Sequence, residues 1–113
     1  FKRSTTRPMG LTYTPNWRIL PKMDIVDLSK VKKAVAKLPV HVKRKFFSWA
    51  QAVELEGIRE VRKIPGYHDE PLKGKLKGMR SIRLSGAYRA IYTEEKSGKV
   101  NVVIVEEVNK HEY

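Results

Sequence analysis

The strongest constraint on this chain is a change in hydrophobic period partway along it. Val31, Ala34, Val35 and Leu38 fall at the i, i+3, i+4 and i+7 spacing of one helix face, and Val42, Phe46, Trp49, Ala50 and Val53 form a second stripe. Pro39 divides the two runs, Ser29 is placed to cap the first, and Gly57 sits where the second stops. From Met79 onward the period is two. Residues 79–84, 87–93 and 100–107 read as three strands, joined by Ser85-Gly86 and Lys96-Ser97-Gly98, connections short enough to force antiparallel hairpins. A short alternating stretch, Met23-Asp24-Ile25-Val26, adds one strand ahead of the helices. Between helices and strands, GIREVRKIPGYHDEP allows one or two helical turns before Pro65, Gly66 and Pro71 impose a loop.

A sequence of helical period does not sit still as a strand, so the expected order is β-α-α-β-β-β. Helices first and strands last favour a small single α+β domain, an antiparallel sheet with two helices packed on one face. The 113 residues suit one modest core. Residues 1–22 carry five basic side chains, no acid, and Pro8, Gly10, Pro15 and Pro21, the composition of a flexible basic arm. Residues 23–113 are expected to form the folded domain.

Lys and Arg outnumber Asp and Glu by 24 to 12, and the net charge of +12 calls for a partner rich in negative charge. Nucleic acid ranks first, an acidic protein second and a membrane surface third. The charge is concentrated where the strands begin: EPLKGKLKGMRSIRLSGAYRAIY, residues 70–92, holds six Lys/Arg and one acid. On a strand, successive side chains point to opposite faces, so Ile82 and Leu84 share one face and Ser81 and Arg83 the other. On the next strand Tyr88, Ala90 and Tyr92 oppose Arg89, Ile91 and Thr93. With Ile82, Leu84, Tyr88 and Tyr92 turned to the helices as core, Arg83 and Arg89 meet on the open face. The loop lysines Lys73, Lys75 and Lys77 are expected to feed this platform, and Arg80 is grouped with them as a nucleic-acid contact. A merely solvated face tends to mix signs, whereas uncompensated cations repel one another and ask for an external anion.

Zero cysteines exclude disulfides, Cys-ligated zinc and thiolate catalysis. His41, His68 and His111 have no ligand-type spacing, and LKGKLKG lacks the GxxxxGK[ST] pattern of a phosphate-cradling loop, so neither a metal nor a nucleotide cofactor is expected. No apolar run approaches the roughly 18 residues needed to cross a bilayer, and FKRSTTRPMG has no signal-peptide apolar core. The expectation is a cytoplasmic protein.

PLKGKLKGMRSIRLSGAYRAIY, followed by a Val-rich strand and the terminal NKHEY, resembles the RelE/ParE superfamily of bacterial type II toxins over about residues 23–113. Residues 1–22 have no recognised counterpart. The resemblance implies the β-α-α-β-β-β fold and, in the RelE, YoeB and HigB branches, a metal-independent endoribonuclease acting on ribosome-bound mRNA. It implies that Arg89, in YRAIY, holds the scissile phosphate together with Arg83. It implies that His111 and Tyr113 on the C-terminal tail supply an acid/base group and a base-stacking aromatic. Glu70 stands where the YoeB branch has a catalytic carboxylate, and His68 lies in the region where HigB-like members use a histidine. YoeB-like tails end with His and Tyr adjacent, whereas Glu112 separates them here. The implied partners are an acidic antitoxin protein, mRNA and rRNA. Two other readings stand beside this one: a ParE-like inhibitor of DNA gyrase that cuts nothing, and an RNA-binding module without chemistry.

Overall fold

The computed structural model describes residues 23–110. Its elements are β1 (Met23–Asp27), α1 (Lys32–Ala36), α2 (Val40–Glu56), α3 (Ile58–Val61), β2 (Glu70–Pro71), β3 (Arg80–Arg83), β4 (Tyr88–Ser97) and β5 (Val100–Lys110). The expected arm at 1–22, and His111 and Tyr113, lie outside the described residues.

The five strands form one sheet in the order β1-β5-β4-β3-β2. Strands β2 to β5 are a continuous antiparallel meander, as the short connections require. The outer strand β1 is parallel to β5, with Met23 opposite Val100 and Asp27 opposite Ile104, so the sheet is mixed rather than wholly antiparallel. The helices between β1 and the meander carry the chain across to the opposite edge, and a parallel pair tolerates only such a long crossover.

Helical periodicity gave α2 correctly but overstated α1. Asp27 Oδ1 accepts the backbone N–H of Ser29 at 2.9 Å, a local turn that leaves Ser29 outside the helix, and α1 begins two residues later behind Val31 without a side-chain cap. Pro39 precedes α2, where its fixed φ and missing N–H are harmless. At the other end Gly57 adopts φ +88°, a conformation open to glycine, and its N–H donates to the Val53 carbonyl at 2.8 Å. The next N–H, of Ile58, donates to Asp24 Oδ2 at 2.7 Å, tying the helix end to β1. The second hairpin turns at Gly98-Lys99, one residue later than expected, with Gly98 at φ +60°.

The apolar stripes of α1 and α2 pack against one face of the sheet. Phe46, Trp49, Val42 and Val53 are fully buried against Ile82, Ala90, Tyr92, Val103 and Val105. The Trp49 and Tyr92 rings lie 5.5 Å apart and Phe46 stacks on Trp49 at 6.2 Å, so three aromatic side chains form the centre of the core.

Candidate functional site

Register decides what the open face carries. Arg83 on β3 is the direct cross-strand partner of Arg89 on β4, and Asn109 on β5 completes that row. One row along, Glu70, Ser81, Ile91 and Glu107 stand side by side across four strands. Because cross-strand partners share a face, the two guanidinium stems and Glu70 emerge on the side away from the helices. Like charges directly opposite one another are destabilising, and neither arginine has a carboxylate partner among the described residues. Arg83 is exposed; Arg89 is half-buried, and its Nε is enclosed without a hydrogen-bond partner.

A hollow of about 140 Å³ opens over this pair, and His68, Glu70, Ser81 and Tyr88 also line it. Its turn edge is held by Ser85, whose Oγ accepts the N–H groups of Ala87 and Tyr88 at 3.2 and 3.1 Å. His68 Nε2 and Glu70 Oε2 stand 3.8 Å apart and both side chains are more than half exposed, free to reach a bound molecule. Thus the fold gathers four of the residues expected to act, His68, Glu70, Arg83 and Arg89. Strand β5 passes Arg89 on the side opposite Glu70 and pairs Lys110 with Tyr88 just before His111.

The other expected cations sit elsewhere. Arg80 pairs with Tyr92 in the ladder and so projects to the helix side, where its Nε donates to Asp69 Oδ1 at 2.6 Å. It is therefore not part of the open platform, and the two-residue alternation that separates Ile82 from Arg83 is the reason. Lys73, Lys75 and Lys77 are exposed in the β2–β3 connection, a loop containing a 3-10 turn at Gly74–Leu76, beyond the end of β3 that is remote from Arg83. They do not line the hollow.

The loop preceding Glu70 is tightly held. Lys45 Nζ donates to the Gly66 carbonyl at 2.9 Å and sits 5.5 Å from the centre of the Tyr67 ring. Asp69, whose side chain is 1% exposed, accepts from the Tyr92 hydroxyl at 2.6 Å and from Arg80 at 2.6 Å. Arg62 Nε donates to the same tyrosine oxygen at 3.1 Å and its Nη2 pairs with Glu94. Burial, reinforced by the bond to Asp69, raises the Tyr92 pKa far above that of a free phenol. Sequence reasoning missed Asp69 and the two-residue strand β2, because neither lies in a periodic segment. Among the described residues no group of three or more His, Cys, Asp or Glu side chains is arranged to hold a metal, and no helix is long and apolar enough to cross a membrane.

This architecture, a five-stranded mixed sheet with helices on one face and a paired-arginine hollow on the other, is built on the fold of the RelE/YoeB-like toxins. Among solved structures the chain is similar to the RelBE2 toxin–antitoxin complex from Mycobacterium tuberculosis, with TM-score 0.54 and 20% identity over 81% of this chain and 100% of that one. It is similar to the YoeB/ParE toxin from Agrobacterium tumefaciens, with TM-score 0.53 and 21% identity over 80% of this chain and 99% of that one. The YoeB–YefM complex from Staphylococcus aureus matches with TM-score 0.53 and 16% identity over 80% and 95% of the two chains. At these identities the likeness is one of fold. No protein-family model and no curated protein sequence matches the chain.

Proposed function

We propose that this chain is the toxin of a type II toxin–antitoxin pair and an endoribonuclease that cleaves ribosome-bound mRNA by transphosphorylation. The observation that carries the reading is the Arg83–Arg89 pair: two adjacent, uncompensated guanidinium groups with Glu70 and His68 at the rim of the same hollow. Placing like charges in register costs stability in the free protein, and a phosphodiester lodged between them would offset that cost with charge-assisted hydrogen bonds.

In the proposed reaction Glu70 or His68 takes the proton of a ribose 2′-hydroxyl, and the oxygen forms a bond to the adjacent phosphorus. Arg83 and Arg89 stabilise the added negative charge of the pentacoordinate state, an effect worth on the order of 10²-fold or more per positioned donor. The bond from phosphorus to the 5′ oxygen then breaks, a protonated group on the enzyme supplies the proton to that oxygen, and a 2′,3′-cyclic phosphate remains. Strand β2, which carries Glu70, and strand β5, which carries Asn109, are three strand spacings apart, about 14 Å, with the arginines on the strands between them. An in-line displacement needs its base and acid on opposite flanks of the phosphorus. In this reading His111 and Tyr113, which follow β5, serve the flank away from Glu70.

Lys73, Lys75 and Lys77 would hold the RNA backbone, or rRNA, outside the hollow. The partner of such a basic toxin is an acidic antitoxin protein. Support comes from an apolar depression of about 340 Å³ formed by Leu28, Val35 and Phe47 and edged by Lys32 and Lys43, suited to an acidic segment with apolar anchors. Residues 23–113 would constitute the toxin domain, acting in the cytoplasm without a cofactor, with 1–22 as a basic arm. The test is primer extension on a translated message after pulse expression. Discrete new 5′ ends with the wild-type chain, lost with Arg89→Ala, support the proposal. Growth arrest with intact message and altered DNA topology would replace it with gyrase inhibition.

A further inference from the structure

Strand β2 is two residues long: Glu70–Ser81 and Pro71–Arg80 set its register against β3, and the Leu72 N–H donates to the Met79 carbonyl at 2.9 Å just beyond. Such a short edge strand is marginal by itself. Sliding it by one residue would turn Glu70 from the open face to the helix side, since side chains alternate with period two. So few pairs leave the register to be secured by a further anchor, and the residue between His68 and Glu70 has the contacts to supply it. Asp69 projects to the helix side, where both carboxylate oxygens are engaged, Oδ2 by the Tyr92 hydroxyl and Oδ1 by Arg80 Nε, each at 2.6 Å. Tyr92 is itself fully buried, braced by Trp49 and by Arg62, so the anchor is rigid. Immediately before it His68 takes up φ +49° and ψ +47°, a left-handed conformation unusual for a residue with a side chain, and its N–H donates to the Pro65 carbonyl at 3.1 Å. A backbone held in that conformation is over-determined by its surroundings.

We infer that Asp69 is the positioning residue of the site: its buried carboxylate, locked by Tyr92 and Arg80, fixes the register of β2 and so presents Glu70 and His68 to the guanidinium pair. Asp69 touches no substrate. Its effect on cleavage rests on the reading of the hollow as an RNA-cleaving site, whereas its effect on the strand does not. The inference also gives a role to Arg80, which the strand alternation turns away from the open face. It holds the loop that carries the acid/base groups.

Two readouts on the full chain test this. In Asp69→Asn, and more mildly in Tyr92→Phe, amide hydrogen exchange at residues 68–70 accelerates at least about tenfold while protection of α2 and β5 stays unchanged. On RNA, kcat falls by about 10²-fold with KM within about threefold, because the arginines that grip phosphate are untouched. In a His68→Gln/Glu70→Gln background the same substitution costs less than about threefold more, since a residue that acts through others adds nothing once they are gone. Unchanged exchange at 68–70, exchange rising equally throughout the sheet, or an equal loss of cleavage in both backgrounds overturns the inference. If the wild-type chain cleaves no RNA, the proposed function fails while the exchange result still decides the role of Asp69.

Discussion

Arg89→Met should make the free protein more stable and leave it inactive. Arg83 and Arg89 are cross-strand partners, and for charged ends about 6 Å apart the repulsion is about 0.7 kcal/mol in water and about 3 kcal/mol at an effective dielectric of 20. Arg83 is exposed and salt screens it, which brings the expected repulsion down to about 0.2–1 kcal/mol, the usual size of a cross-strand pair effect. The enclosed, unpartnered Nε of Arg89 adds a desolvation cost of about 1 kcal/mol, at the low end for an unmade hydrogen bond. Methionine retains most of the stem's packing. The net gain is about 1–2 kcal/mol, or a rise in Tm of about 5 °C or more for a domain near 100 residues. The assay is thermal unfolding by circular dichroism at low ionic strength, repeated with inorganic phosphate. Wild type gains stability as phosphate is added, because an anion that binds only the folded site stabilises it by mass action; the variant responds much less. A variant less stable than wild type at low salt, or equally responsive to phosphate, refutes the argument that this pair is strained for want of an anion.

Tyr92 should ionise well above the range of a free phenol. Its folded pKa is raised above the free value of 10.0, so the native state holds its proton longer than the unfolded chain, and stability falls as pH rises above about 10. Ultraviolet titration of folded protein should show Tyr92 silent until alkaline unfolding, and in Tyr92→Phe this part of the alkaline destabilisation disappears. Gly57→Ala should lose about 1 kcal/mol in urea unfolding, because φ +88° disfavours any side chain, although a Cβ there would clear Asp24 Oδ2 at 3.7 Å. Neutralising Lys73, Lys75 and Lys77 together should weaken RNA binding and flatten its salt dependence by up to about three units of log–log slope, with kcat nearly unchanged, as filter binding and single-turnover cleavage would show.

The part of the fold legible in the sequence is the part with a period. The stripe Val42, Phe46, Trp49, Ala50 and Val53 became one face of α2, all of it buried, and the alternation through 80–92 put Arg83 beside Arg89. The same alternation assigns Arg80 to the helix side, and grouping it with the open-face cations followed composition where parity should have ruled. Loops offered no such signal. Whether Asp69 or Glu70 faced the hollow depended on a two-residue strand whose register is set by Tyr92, a residue 23 positions away. Ser29 looked like a cap but its N–H is taken by Asp27, a local competition that residue preference alone cannot weigh. The parallel seating of β1 on β5 joins the two ends of the described chain, a contact that no local pattern encodes.

The proposed chemistry leaves a signature on its products. Translating ribosomes programmed with a defined message are incubated with the purified chain, and the ends of the fragments are identified by phosphatase and ligation sensitivity. Attack by the 2′-hydroxyl predicts 2′,3′-cyclic phosphate or 3′-phosphate ends opposite 5′-hydroxyl ends, absent with Arg89→Met. Fragments ending in 3′-hydroxyl and 5′-phosphate, or a message left whole by a folded protein, would contradict it.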